Sequence, residues 1–458
     1  MDSHLPFTDD PLPSLFDRGS NMLTRHCFVP VILYGMFAVL SASFVHGEDW
    51  PGFRGPQRTG VSTETGLLKE WPKEGPKLHW VFKDAGMGFS SVAVVKGVVY
   101  TLGTEKDNSV VIALDLNNGE KLWSAKLGGI FNFKGNTWGQ GPRSTPTLDG
   151  ELLFALDGGG ELVCYDVNKR AEVWRKDLVK DFGGEMMTEW GYSESPLVDG
   201  DLLICTPGGK QGAVVALNKK SGEMVWRTKD LPYRAPYTSP VLAEINKTKQ
   251  YVQMSYEPGK GGFISGIDPK AGKALWTFQM FEGDSYNVAT TAIVAGEQVY
   301  YSNGNGHGSG LLSPAKMPVE NEYTSGKAIK AMKNNHGGVI KVGDAIYGHS
   351  ENRGWVKQDF ATGKELGSDK NQVAGVSGSL TAADGLLYLL SDSGEVALVK
   401  DIGKSSLDIV SSFTIPHPAK QFNANPAQSA AKVWAHPVIS NGCLFIRDQE
   451  NVMCFKLK

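Results

Sequence analysis

Arg143, Tyr237, His336 and Trp434 fall at one equivalent point of alternate repeats in this chain, and together they supply a permanent cation, two aromatic surfaces and a titratable imidazole. A guanidinium offers a fixed fork of N–H donors to a carboxylate or phosphate, and phenol and indole rings stack on planar groups. The set suits an anionic or ring-bearing ligand. Trp138, Trp190, Asn287 and Asn335 stand close to it in sequence and would form its rim. The alternative is that all of these residues pack lead-in loops and touch no ligand. Glu189 is the carboxylate candidate for catalysis or calcium, and a weak one. Acid–base work and calcium both call for further oxygen donors, and no second carboxylate is visibly paired with it. His307, in Asn303-Gly304-Asn305-Gly306-His307-Gly308, has the look of a phosphate loop. The stretch does not open a helix, so a hairpin turn is expected instead.

The equivalence of these positions rests on an internal repeat. Trp123, Trp174, Trp226 and Trp276 recur at intervals of 51, 52 and 50 residues, each eight residues after Asp115, Asp166, Asn218 or Asp268. Gly119, Gly222 and Gly272 lie midway, and Arg170 takes that place in the second repeat. An Asp or Asn side chain bonds backbone N–H groups just ahead of it, and Gly supplies the positive φ of a reversal, so this spacing predicts a hairpin whose second strand carries the Trp. The indole is expected to cover the gap between neighbouring sheets.

Two further strand-like runs precede each hairpin, as in Thr145-Pro146-Thr147-Leu148 and Leu152-Leu153-Phe154-Ala155, separated by Asp149-Gly150. That makes four strands per repeat. First-strand signals begin near Ser91, Thr145, Ser195, Ser239, Thr291, Gly338, Ser379 and His436, which gives eight units. These markers are mostly hydroxyl residues, expected to crowd an axis and bond water or backbone.

The fold predicted is therefore all-β: an eight-bladed β-propeller of four-stranded antiparallel blades. The last unit, ending at Cys454-Phe455-Lys456-Leu457-Lys458, lacks a fourth strand, while an orphan strand, Lys77-Leu78-His79-Trp80-Val81-Phe82, precedes the first. The N-terminal strand should complete the last blade and close the ring. Later blades are degenerate: Asp359 and Gly363 keep the turn but Gly367 replaces the Trp, and blade five is expected to carry a long loop from about Gly304 to Asn335.

Lys plus Arg (46) nearly balances Asp plus Glu (49), which excludes the basic field of a nucleic-acid binder. Gly accounts for 55 of 458 residues, above the usual ~7% and in keeping with many turns. Arg25 and His26 precede an apolar run from Phe28 to Val45, followed by His46-Gly47 and acidic Glu48-Asp49, which reads as a signal peptide cleaved near Gly47. A membrane anchor is the alternative, and Met22 is the alternative start to Met1. The organisation expected is 1–47 as N-terminal extension and signal peptide, 48–76 as an extended segment and 77–458 as the propeller. Cys164, Cys205, Cys443 and Cys454 form no C-x-x-C, so buried thiols are expected, with a Cys443–Cys454 bridge across a hairpin as the alternative.

The run Ala113-Leu114-Asp115-Leu116-Asn117-Asn118-Gly119-Glu120-Lys121-Leu122-Trp123 resembles the pyrroloquinoline-quinone (PQQ) type repeat of the quinoprotein dehydrogenases and of the outer-membrane barrel-assembly lipoprotein, both eight-bladed propellers. The resemblance covers nearly all of 77–458 and is specific for fold, not activity. Trp50-Pro51-Gly52-Phe53-Arg54-Gly55-Pro56, with Gly60-Val61-Ser62, is similar to the opening of a bacterial family of secreted proteins with these repeats. In the dehydrogenases the quinone stacks between a Trp and a vicinal disulfide, on calcium held by Glu, Asn and Asp. This chain has no adjacent cysteine pair, no recognisable calcium and base constellation and no haem-attachment motif. The lipoprotein precedent implies a non-enzymatic scaffold that binds another protein through loops on one face. Cys27 precedes the apolar run, so no lipid-anchor signal is visible. The expectation is an exported, periplasmic or extracellular, monomeric and non-catalytic propeller. It should bind a protein or a small anionic or aromatic ligand at its axial face, with no cofactor, no metal, no nucleic acid and no stable membrane span after cleavage. The alternative is a PQQ-dependent alcohol or polyvinyl-alcohol oxidoreductase with a divergent site for PQQ and calcium.

Overall fold

The computed structural model describes residues 47–136, 138–416 and 432–458, all within one compact unit, His46–Lys458. The apolar run read as a signal peptide, and with it the question of the start, lies outside the described residues. No helix among the described residues is long and apolar enough to cross a membrane.

Eight antiparallel sheets follow one another along the chain, seven of four strands and one of three. Blade one comprises Ala93–Val95, Val98–Glu105, Asn108–Asp115 and Lys121–Gly129. The inner strands of blades two to eight are Thr147–Asp149, Leu197–Asp199, Val241–Ile245, Ile293–Ala295, Val339–Val342, Gly378–Ala383 and Val438–Ser440. In six of the eight blades the inner strand starts two residues after its sequence marker. The N-terminal strand Leu78–Phe82 pairs antiparallel with Val452–Lys456, the last strand of blade eight, so the ring closes as expected.

The cores lie between blades. Within Asn108–Asp115, Val110, Ile112 and Leu114 pack toward blade eight, whereas Val111 and Ala113 pack toward blade two. Both faces of the sheet are covered, which is why its middle strands read as continuous apolar runs. The hairpin motif behaves as predicted: Asp115, Asp166, Asn218 and Asp268 accept from the N–H groups of Asn117 (2.7 Å), Asn168 (3.1 Å), Lys220 (2.9 Å) and Lys270 (2.7 Å). Arg170 adopts the positive φ, 53°, that Gly supplies elsewhere. The indoles do more than cover a gap. Trp174 lies on Gly222 of the next blade, where a Cβ would meet the ring at 2.7 Å, and its Nε1 donates to Lys219 O (2.9 Å). Trp226 does the same on Gly272, bonding Pro269 O (2.8 Å), and Trp80 on Gly119, bonding Leu116 O (2.8 Å).

Blade five departs from the expected four strands. Residues 304–307 form a tight turn between Gln298–Asn303 and Gly308–Leu312, and the insertion that follows holds the short helix Gly326–Ala331 instead of an outer strand. The long loop read from about Gly304 therefore begins only after Leu312. Without an adjacent Asp-turn to lie on, Trp276 bonds Gln250 Oε1 within its own blade (2.6 Å). Tyr323, from the insertion, takes over the joint to blade six: its ring lies on Gly363 and its hydroxyl donates to Phe360 O (2.6 Å). The four cysteines among the described residues, Cys164, Cys205, Cys443 and Cys454, are buried free thiols.

The segment 48–76, read as extended, turns on itself at residues 53–58 and spans the inner strands. Trp50 pairs with Val94 of blade one, and Leu148 of blade two donates to Pro51 O (2.7 Å). Arg58 reaches Ser195 O (2.9 Å) and Pro240 O (3.0 Å), Arg54 reaches Val339 O (2.5 Å), and Gly60 O accepts from Thr381 (2.8 Å). These contacts join six blades, so the segment lies across one end of the axial channel and seals it.

Candidate functional site

Above that seal the channel widens into a cavity of about 600 Å³. Its wall is built by the lead-in position of every blade: Arg143, Tyr237, His336 and Trp434, with Phe89, Ser193, Ala289 and Ser377. Rotational repetition forces equivalent residues to face one axis, and here they do. Trp138, Trp190, Asn287 and Asn335 also line it. Glu189 does not; it is exposed on the turn beside Trp190.

The hydroxyl ring beneath these positions is spent on architecture. Ser195 accepts from Thr145 N (2.9 Å), Ser239 from Ser195 N (2.8 Å) and Thr291 from Ser239 N (3.1 Å), stitching each inner strand to the next. Ser91 and Ser379 donate to His436 O (2.6 Å) and Ala435 O (3.1 Å).

The cavity wall is mainly aromatic. Trp434 stacks on Phe89 (5.0 Å between centroids) and touches Trp138 (5.6 Å), with His336 edge-on at 4.6 Å. Its indole Nε1 is buried and has no partner. Trp190 meets Phe133 edge-on at 4.8 Å, and Asn287 donates to Asn335 (3.1 Å). Arg143 lies over Phe131 (5.2 Å) and Phe89 (5.8 Å) and donates to Gly141 O (3.0 Å) and Gly139 O (3.4 Å) of its own loop. Burial lowers its pKa to about 10, so it stays charged at neutral pH. Among the described residues no carboxylate forms an ion pair with it.

Sequence reasoning missed several wall residues. Phe53, from the N-terminal seal, forms part of the floor and sets its ring edge-on to His436 at 5.2 Å. Lys432 and Asp392 form an ion pair at 2.8 Å, and Tyr286 and Val376 stand exposed at the lip. No repeat spacing marks any of these.

The acid–base inventory is poor. Burial pushes His336 down to about 4 and His436 to about 3, so both are neutral, weakly basic imidazoles at pH 7. His336 Nε2 meets Ser377 Oγ at 2.9 Å, which satisfies the ring; an imidazole this weakly basic activates a hydroxyl poorly. Burial also raises the Tyr237 phenol, whose hydroxyl bonds Thr188. A calcium-bound quinone centre needs several oxygen ligands around one point. The only carboxylate lining the cavity, Asp392, is held by Lys432, and among the described residues no three His, Cys, Asp or Glu side chains gather as metal ligands. The residues present do not fit such a centre.

Residues 106–364, more than half of the chain, match the family described as outer membrane protein assembly factor BamB. Relatives named for the same factor are 24% identical over 233 residues in Kangiella koreensis, covering 51% of this chain and 53% of that protein, and 23% identical over 300 residues in Shewanella oneidensis, covering 64% and 67%. The chain thus spans about half the length of the first. BamB from Moraxella catarrhalis superposes with a TM-score of 0.54 at 14% identity, over 82% of this chain and 98% of that one. The quinohemoprotein alcohol dehydrogenase from Comamonas testosteroni gives 0.62 at 13%, over 89% and 80%. At such identities the superpositions speak for the fold alone. By its family match, the chain belongs to the PQQ-type repeat propellers described as outer membrane protein assembly factor BamB.

Proposed function

We propose that this chain is an exported, monomeric, non-catalytic propeller that binds a partner through the open mouth of its axial channel and the loops around it. One observation carries the reading: the N-terminal segment crosses and covers the base of the channel, with Arg58 spent on backbone carbonyls there, whereas the mouth is open and keeps a guanidinium without an ion partner, an aromatic wall and the exposed side chains of Tyr286 and Val376. Unspent polar groups and exposed apolar side chains at one concave face are the features of a binding surface. The relatives' name, an assembly factor, favours a protein as the main partner. Site-specific photo-crosslinkers test this in living cells. Polypeptide adducts are expected from positions 286 and 376 and not from 122 or 225 on the outer strands; adducts confined to the outer strands would overturn it.

The second reading, a PQQ-dependent oxidoreductase, is favoured by the axial cavity with Trp434 and Arg143 in its wall. Titration of the purified chain with PQQ, with and without calcium, is expected to give no dye-linked alcohol oxidation. Turnover that is lost in Arg143→Ala would establish the oxidoreductase instead.

A further inference from the structure

We propose that the axial cavity binds a small aromatic monocarboxylate, with the carboxylate on the Arg143 guanidinium and the ring against the wall formed by Trp434 and Phe89. The inference rests on the mouth being the binding face and names what enters it.

Charge comes first. Of the permanently charged side chains lining the cavity, Lys432 and Asp392 neutralise each other at 2.8 Å, which leaves Arg143 uncompensated. It sits among Phe89 and Phe131 and spends donors only on two carbonyls of its own loop. A cation placed in an apolar wall without a counter-charge is costly, and an anionic ligand removes that cost. Both wall imidazoles are neutral at pH 7, so neither adds a second anion site. Beneath the floor, Arg54 has Nε and Nη1 without partners, which adds positive potential but places no atom in the wall.

Shape and polarity come next. Phe89 stacks on Trp434 and Trp138 tilts against it at 37°, and all three line the cavity, so an entering ring meets an aromatic wall. A cavity of about 600 Å³ holds a ligand of small-molecule size. A neutral hydrocarbon leaves Arg143 uncompensated, a cation is repelled by it, and a polyanion meets one free guanidinium only. A free aromatic acid and the terminal aromatic residue of a partner chain, with its α-carboxylate, present the same chemistry.

Calorimetric titration of the full chain separates these. The probes are indole-3-acetate, phenylacetate and naphthoate, against tryptophol, which keeps the indole without the charge, and cyclohexylacetate, which keeps the charge without the ring. Saturable binding of the aromatic acids is expected, with both control compounds weaker by about ten-fold or more, since a charge-assisted hydrogen bond and a stacked ring are each worth roughly that factor. Arg143→Gln should weaken the acids by about ten-fold at an unchanged melting midpoint, with Arg143→Lys between. A short peptide ending in Trp, free or amidated, assigns the source: tighter binding than the free acid, lost on amidation, points to a chain terminus, and weaker binding points to a free metabolite. Equal affinity for tryptophol and indole-3-acetate, or no saturation by any aromatic acid at millimolar concentration, would overturn the proposal. If crosslinks at 286 and 376 survive that result, the mouth remains the binding face and only the ligand class falls.

Discussion

At the base of the channel Arg58 delivers its guanidinium to three backbone carbonyls, Ser195 (2.9 Å), Pro240 (3.0 Å) and Pro196, with the buried carboxyl of Glu194 acting on it from nearby. At the mouth Arg143 donates hydrogen bonds only to two carbonyls of its own loop, and its one reach toward another blade is the stack over the Phe89 ring. Burial lowers both pKa values to about 10, so both stay charged at neutral pH. The same side chain thus serves two ends: where its donors span blades it holds the ring together, and where they stay local it is available to a ligand. Arg54 stands between these cases, with Nη2 on Thr59 O (2.8 Å) and Val339 O but Nε and Nη1 unpaired.

Removing each arginine is the strongest way to break this comparison. Arg58→Ala leaves three buried carbonyls and the Glu194 carboxyl without their cation, and should cost about 3 kcal/mol, since orphaned buried partners of a charged group lose about 1–3 kcal/mol each and part of this is recovered by relaxation. Arg143→Ala should cost less than about 1 kcal/mol, the loss of stacking on two rings. Urea unfolding of both variants reads the difference. A mouth substitution as damaging as the base substitution would show that Arg143 is architecture.

Acid should act on the buried imidazoles and on the buried carboxyls in opposite directions. His336 and His436 are held neutral, with pKa values lowered from 6.5 to about 4 and about 3, so the unfolded chain takes up protons first and stability falls as pH drops from about 6.5 toward 4. Glu194, raised by burial from 4.5 to about 7, has the other sign: its contribution is present below about 4.5 and is lost as pH rises through 7. Asp157, raised by burial to about 6, adds to the carboxyl side, and His349 and His307, both lowered by burial, add to the imidazole side; the lowered imidazoles outweigh the two raised carboxyls, so the melting midpoint should fall between pH 6.5 and 4. His336→Gln should make that fall shallower and Glu194→Gln steeper. A midpoint flat over this range in the wild-type chain would remove that contrast.

The ring itself was legible because it repeats. A marker every fifty or so residues predicts eight inner strands, and equivalent positions under rotation have to face one axis, which is why Arg143, Tyr237, His336 and Trp434 meet in one cavity. What does not repeat stayed hidden. Tyr323 replaces a Trp at the joint between blades five and six from an insertion whose register no spacing gives. The seal depends on contacts such as Arg58 to Ser195 and Thr381 to Gly60, 137 and 321 residues apart, which leave no local period. The Lys432–Asp392 pair joins residues from two different blades. Glu189 adjoins Trp190 in sequence, but on a turn the carboxylate faces outward while the indole faces the cavity.

The smallest effect gives the finest test, because it compares two tryptophans and changes only the indole. Trp226 lies on Gly272 of the next blade and its Nε1 donates to Pro269 O at 2.8 Å, so Trp226→Phe gives up a buried hydrogen bond, orphans a carbonyl and thins the joint between blades three and four. About 1–2 kcal/mol is the expected cost. Trp434→Phe also loses part of a ring, but its Nε1 has no partner to orphan, and the stack on Phe89 persists with a smaller ring. Losing the unpaired donor offsets the lost contact, so the change in stability should stay within about 0.5 kcal/mol. Parallel urea titrations decide the matter. If Trp434→Phe costs as much as Trp226→Phe, the indole at the mouth is already bonded in solution, and the ring assigned to a ligand is committed to the fold.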